Sequence, residues 1–177
     1  MTQDEAIKKI GLWLKPKFSK LEIGLTIIAS IGGLLKLLNL GGSNLLIFIS
    51  LPTLSTLYFF YAFTPFDNEE KATKIDAFIK YVSYWGLSVA VIGATFALLY
   101  LPGYETMLIY GAFTCGAMII FSLTKILKEN ELRNYYKSNF IRLLVCGLIC
   151  IALLLTPKEN LKKIFQNEDV STEEVSQ

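Results

Sequence analysis

The chain has 177 residues, a formal net charge of +2 and 18% charged residues, whereas a soluble domain has about 25%. Hydrophobic residues make up 53% of the sequence, and the charges gather in a few segments between apolar runs. These runs approach the roughly 20 residues that cross a bilayer as a helix. The composition therefore excludes an ordinary soluble domain and predicts an all-α, polytopic membrane helix bundle.

The first predicted element is an amphipathic leader over residues 1–21. Ile7, Ile10 and Leu14 follow helical spacing while lysines occupy other faces, as is typical of a helix lying in the membrane interface. Pro16 is predicted to end this helix. The leader begins with acids and has no small-residue cleavage site after a short apolar core, so it is not the pattern of a signal peptide.

Five membrane spans are predicted within a transmembrane domain over residues 22–155. Ser19 to Glu22 has the form of a capping box that starts the first span. A hairpin over 22–63 is followed by a hairpin over 81–123 and by a shorter fifth span. The spans cover residues 22–40, 45–63, 81–101, 106–123 and 140–155.

Two basic residues are predicted to lie near span ends. Lys36 lies four residues before the end of the first span, about 6 Å of helix rise, so it can extend its amine to the interface. A buried functional lysine is the alternative. Arg142 lies close to the start of the fifth span.

Lysine and arginine are distributed unevenly between the loops. They cluster in the leader and in the polar connectors 64–80 and 125–139, whereas the two short turns have none. This asymmetry predicts a cytoplasmic N-terminus. The location that we expect is the bacterial inner (cytoplasmic) membrane. Five spans then place the C-terminus outside. The alternative is four spans with a re-entrant or in-plane last helix.

Residues 156–177 are predicted to form a short amphipathic helix and an acidic tail. Thr156 to Glu159 has the form of another capping box, with Pro157 at the first helical position. The acidic composition beyond it is typical of a disordered segment.

Polar side chains surround a proline inside the second span. Proline frees a backbone carbonyl, which nearby hydroxyls can help to satisfy. The pattern predicts a kinked structural helix, or alternatively a kink that lines a substrate path. Tyrosines near span ends are predicted to form an aromatic belt. The candidate polar cluster comprises Ser50, Pro52, Thr53, Ser55 and Thr56.

The two hairpins have similar sequences. Residues 29–50 align with 90–111 without a gap and match at seven positions. We interpret this as a tandem, parallel repeat of one hairpin. The glycines and proline have local roles, in which some permit a turn with positive φ and others permit close helix packing. These turn and packing residues are Gly32, Gly42, Gly93, Pro102 and Gly103.

The repeated hairpin resembles the transmembrane hairpin of the Bacteroidota gliding-motility motor protein GldL and its small relatives. That hairpin has the pattern G-A-x-F-K-x-x-H-x-P-G-A-x-x-M-L and ends near F-F-x-x-A-F-x-P. The first copy has Gly32, Lys36 and Gly42, followed by FFYAFTP at 59–65. The second copy has Gly93, Ala94, Phe96, Pro102, Gly103, Met107 and Leu108.

The sequence departs from that pattern where ionisable chemistry would lie. Asn39 and Tyr100 stand in place of the motif histidine, and the region of the membrane glutamate has only Thr53 and Thr114. The long cytoplasmic coiled segment of that family is absent from this sequence. The resemblance thus implies the hairpin scaffold without the motor function.

The residue types present favour a protein without catalytic activity. The chain has no His, and its predicted span centres lack Asp and Glu. Zinc-ligand sets, nucleophile couples and glycine-rich phosphate loops are also missing. The three cysteines are expected to be small membrane-embedded side chains. We expect no enzyme, no catalytic residue, no metal and no cofactor.

Three hypotheses for function follow, of which a membrane enzyme is the least favoured. The first is a structural or regulatory subunit of an inner-membrane complex, whose partners are lipid and other membrane proteins or a second copy, without nucleic acid. The second is a small transporter or channel for an uncharged or lipidic solute. A polar cavity between the hairpins would favour transport, whereas tight packing with an exposed small-residue face would favour a subunit.

Overall fold

The computed structural model describes residues 3–38, 40–66, 72–128, 132–157 and 161, and every regular element in this part of the chain is helical. A 3-10 turn, Lys15–Lys17, joins the first helix to the second. The helices are α1 (Gln3–Leu14), α2 (Phe18–Leu37), α3 (Ser43–Tyr61), α4 (Lys74–Leu98), α5 (Tyr104–Lys128) and α6 (Arg133–Leu155).

Five helical stretches are long and apolar enough to cross a membrane, which confirms the predicted all-α architecture with five spans. The first of them runs over Lys9–Leu37, because the 3-10 turn around Pro16 leads straight into α2. The proline thus ends α1 without separating the leader from the span. The interfacial location of the leader stays a prediction. Its helix packs against α3, and Gly11 contacts Thr64 in the turn that follows α3.

The capping box predicted at Ser19 to Glu22 is wrong. Ser19 lies inside α2, whose N-cap is Lys17 without a side-chain hydrogen bond. The carboxylate of Glu22 instead binds an arginine of another helix. The predicted box at Thr156 to Glu159 extends into residues outside the described part of the chain.

A capping box is found at the start of α4, within the segment predicted as a polar connector. The Thr73 hydroxyl oxygen accepts a hydrogen bond from the Asp76 backbone N–H at 3.3 Å. The Asp76 carboxylate accepts one from the Thr73 backbone N–H at 2.8 Å. Because this box fixes the first turn, α4 begins seven residues before the predicted span.

The capping box at Thr73 and its absence at Ser19 can be tested with a matched pair of variants. Replacing Thr73 with alanine is expected to lower the free energy of unfolding by about 1 kcal/mol, the typical cost of a lost N-cap. Ser19→Ala is the matched control and is expected to have no such cost, because Ser19 is exposed within a helix. Chemical denaturation in detergent micelles measures both, and an equal loss in the two variants would contradict the assignment.

Helix α4 is the centre of the bundle. It packs against α3, α5 and α6, whereas α2 packs mainly against α3. In the apolar part of α4, 56% of the residues are buried, compared with 17% in the apolar part of the stretch Lys9–Leu37 that contains α2. The helices alternate in direction, so one end of the bundle has the two polar connectors and the other has the two tight turns. We name these the connector end and the turn end.

The two tight turns match in the backbone conformation of one aligned glycine position. Gly42 and Gly103, which align in the sequence, have φ of 86° and 84°, a region that favours glycine. Pro102 precedes the second of them, and Tyr100 is a non-glycine residue with positive φ, at 54°. The aligned Asn39 lies outside the described residues.

The two hairpins also resemble each other in the close packing of their helices beside the turn. A Cβ atom on Gly32 would meet Ile47 Cγ1 at 3.1 Å, and one on Gly93 would meet the Leu108 backbone nitrogen at 3.0 Å. Ile47 and Leu108 are both fully buried and occupy aligned positions. Both glycines therefore let the two helices of their hairpin approach closely. The tandem repeat itself stays a prediction.

Candidate intramembrane polar site

A bidentate ion pair joins α2 and α6 at the connector end. Arg142 Nε donates to Glu22 Oε1 at 2.5 Å, and its second terminal nitrogen donates to Oε2 at 2.7 Å. Tyr58 of α3 also donates its hydroxyl to Glu22 Oε1, at 2.9 Å. The remaining guanidinium nitrogen donates to Ser138 at 2.6 Å. This is the fork geometry that makes arginine–carboxylate pairs strong.

Aromatic rings surround the ion pair. The Arg142 guanidinium carbon lies 5.4 Å from the centre of the Phe18 ring, which stacks on Tyr61. Tyr84 meets the same ring edge-on. The predicted aromatic belt is wrong for Tyr58 and Tyr84, which are only 4% and 1% exposed. Both rings belong to the core, where they shield the buried charges. The Tyr58 hydroxyl also donates a hydrogen bond to Glu22.

Asp76 is a second buried ionic centre, shared by α4, α5 and α6. It is fully buried. Lys125 lies 2.9 Å from Asp76 Oδ1, and the Tyr136 hydroxyl donates to the same oxygen. Oδ2 accepts the two hydrogen bonds from Thr73. One carboxylate thus starts α4 and ties it to the two helices beside it.

Lys80 binds the turn that follows α3. Its amine donates to the Thr64 carbonyl at 2.6 Å and to the Thr64 hydroxyl at 2.7 Å. The rings of Tyr61 and Phe66 each lie with their centres 4.8 Å from the amine. A backbone carbonyl oxygen, a hydroxyl oxygen and aromatic faces all favour a cation, which explains a lysine that is only 3% exposed.

Lys36 is buried within the first hairpin, and the location of its amine at the membrane interface stays a prediction. Its side chain is 3% exposed, and its amine donates to the Asn44 side-chain oxygen at 2.5 Å. The turn between α2 and α3 is so short that the start of α3 offers a polar partner within reach. Lys36 thereby stabilises the first hairpin at the turn end.

The structure divides the predicted polar cluster in α3. Ser55 contacts Ser88 of α4, at 2.8 Å between hydroxyl oxygens. The other hydroxyls bond to carbonyls one turn earlier in α3, which itself contains Pro52. These bonds run from Ser50 to Leu46, from Thr53 to Ile49 and from Thr56 to Pro52.

A surface depression of about 370 Å³ lies at the second tight turn and is lined by residues 100–106. It is at the turn end, away from the two ionic centres. Among the described residues, no group of three or more His, Cys, Asp or Glu side chains is placed to hold a metal ion. The three cysteines are free thiols.

Sequence reasoning missed Glu22, Asp76 and Lys80 as buried polar residues. Asp76 had a detectable signal, since Thr73 three residues earlier completes a capping-box pattern. The sequence around Glu22 has no such signal, because its partner Arg142 lies 120 residues away in the sequence.

The five long, apolar helices define this chain as a polytopic α-helical membrane protein. No protein-family model matches it, and no curated protein or solved structure does either.

Proposed function

We propose that this protein is a structural or regulatory subunit of a complex in a bacterial inner membrane, and that it binds another membrane protein or a second copy of itself. The observation that carries the proposal is the face of α2 that α3 leaves uncovered. That face bears three small residues among exposed bulky apolar ones such as Ile27 and Leu34.

Thr26, Ser30 and Gly33 lie near one another on this face, at helical spacing. A Cβ atom on Gly33 would meet nothing within 4 Å, so the backbone is open to a neighbour. Thr26 and Ser30 donate their hydroxyls to carbonyls of α2 itself, at 2.7 and 2.8 Å. Small residues of this kind allow two transmembrane helices to approach closely. We name these three residues the α2 small face.

The ionic centres support a scaffold role. Glu22 and Asp76 each accept hydrogen bonds from two other helices, so the acids act within the bundle. Ionisable residues at membrane depth are otherwise a mark of transport chemistry. Here their bonds join the first hairpin to α6, and α4 to α5 and α6, which favours a rigid body that presents a fixed α2 face.

Photocrosslinking tests the proposal. A photoreactive amino acid replaces Ser30, and in the control it replaces Ile120 of α5, which is 65% exposed. After irradiation of native membranes, position 30 is expected to give one discrete protein adduct, identified by mass spectrometry, and position 120 to give none. Ser30→Phe should then abolish co-purification of that protein. Adducts that are equal at both positions would contradict the proposal.

The predicted orientation can be tested separately. We propose that the connector end faces the cytoplasm, because the connectors carry the Lys and Arg clusters. A reporter that is active only outside the cytoplasm, fused after Gln177, is expected to be active. The same reporter fused within residues 67–71 should be silent. A silent fusion at Gln177 would support four spans with an in-plane last helix.

We also propose that the hairpins are related to the GldL hairpin. Support comes from Gly103, which follows Pro102 at positive φ, and from the close approach at Gly93. Tyr100 stands where that pattern has its histidine. The proposed relationship concerns the scaffold.

A further inference from the structure

The register between α4 and α6 is fixed by two contacts. Tyr136 bonds to Asp76, and the Cys150 thiol lies 3.8 Å from the Ala90 carbonyl oxygen. The residue numbers of the partners differ by 60 in both cases. The two helices therefore run parallel, and each residue of α4 lies at the level of the α6 residue whose number is 60 higher. Asn139 of α6 lies at the level of Ile79 in α4, one turn further from the connector end than Asp76.

The register between α4 and α5 is fixed in the same way. Lys125 bonds to Asp76, and a Cβ atom on Gly111 would lie 2.7 Å from Ala90 Cα. These helices are antiparallel, so Ser122 of α5 also lies at the level of Ile79. Ser122 is three residues from Lys125, and Asn139 is three residues from Tyr136. Residues three apart share a helix face, so both side chains point toward α4.

Three polar side chains in this region have no hydrogen-bond partner among the residues that the structure describes. The side chains are Asn139, in which the amide nitrogen and the amide oxygen both lack a partner, and Ser122 and Ser83, in which the hydroxyl lacks one. All three residues are fully buried. Ser83 lies one turn beyond Ile79, and the next level of α6 is closed by the buried Leu143. Buried polar groups without a partner are costly, so several at one place need a common explanation.

We propose that the α4–α5–α6 interface holds a hydration pocket, in which at least one water bridges Asn139 and Ser122 and exchanges with the connector end past Lys125. Water satisfies buried polar groups that lack protein partners, and it needs two to four such groups to bind. A cation fits less well, because the Lys125 ammonium already neutralises Asp76. The Lys125 side chain is 19% exposed, which provides the route to bulk water.

Cysteine reactivity tests the pocket. The native Cys115, Cys146 and Cys150 are first replaced by alanine, and Asn139→Cys or Leu143→Cys is then added. A thiol reacts as the thiolate, which forms in a wet site and not in a dry one. With methanethiosulfonate ethylammonium as the probe in detergent micelles, the cysteine at 139 is expected to react about tenfold faster than the matched control at 143.

A second variant tests the water itself. Asn139→Leu removes the amide and leaves a side chain of similar size. If water satisfies the amide, this change breaks the bridge and lowers the unfolding temperature, as Ser122→Ala should also do. If the amide is dry and unsatisfied, an apolar side chain raises the unfolding temperature. A raised unfolding temperature for Asn139→Leu, or equal thiol reactivity at 139 and 143, would overturn the proposal.

Discussion

Replacing Arg142 with alanine is expected to cost about 3–5 kcal/mol of unfolding free energy, which is the largest effect of any single change described here. The loss arises because Glu22 would remain largely buried, at 12% side-chain exposure, without its counter-charge. Removing one member of a buried pair leaves an uncompensated charge. Unfolding by a denaturing detergent in mixed micelles, followed by circular dichroism, measures the effect.

Two controls separate charge pairing from a general loss of arginine. Arg133→Ala removes an exposed arginine from the first turn of α6 and is expected to change stability by less than about 0.5 kcal/mol. Glu22→Leu combined with Arg142→Leu removes both charges and should recover most of the loss, because apolar pairs can replace buried ion pairs at little cost. A double variant no more stable than Arg142→Ala would show that the ion pair is not the cause.

Adding one methyl group at Gly111 is expected to force α4 and α5 apart. An alanine Cβ there would lie 2.7 Å from Ala90 Cα and 3.1 Å from the Ala90 nitrogen. These are backbone atoms, so no side chain can rotate away. Overpacking of this kind costs typically about 1–3 kcal/mol, and a backbone clash belongs at the upper end. The thermal unfolding temperature in detergent measures it.

Gly116 of the same helix provides the matched control. A Cβ atom there would meet nothing within 4 Å. Gly116→Ala is therefore expected to leave stability unchanged or to raise it by up to about 1 kcal/mol, because alanine is the better helix former. Equal destabilisation by the two changes would mean that α4 and α5 do not approach as closely at Gly111 as the structure shows.

The five spans could be predicted because each depends on a local run of apolar residues. The tight turns were also predictable, since Gly42 and Gly103 occupy positions with positive φ. Span boundaries were less accurate where a polar segment continued the helix. The start of α4 was missed because a polar first turn looks like a connector until its capping bonds are considered.

The polar sites were predicted only in part. Lys36 and Arg142 were recognised as charges near span ends, but their partners were not. Asn44 follows Lys36 across a short turn, whereas Glu22 meets Arg142 only after the three intervening helices have been placed. A lysine that extends to the interface and a lysine that bonds to a nearby amide look the same in sequence, because both need only a position near a helix end.

The sequence by itself therefore determined the membrane class, the number of spans, the two glycine turns and the asymmetry of basic residues, because all of these follow from composition and local spacing. Only the tertiary structure decided that α4 is central, that Glu22 pairs with Arg142 and Asp76 with Lys125, and that Asn139 and Ser122 lie at one level. Such contacts depend on the register and packing of helices distant in the chain. In apolar spans, many registers satisfy the same hydrophobic pattern.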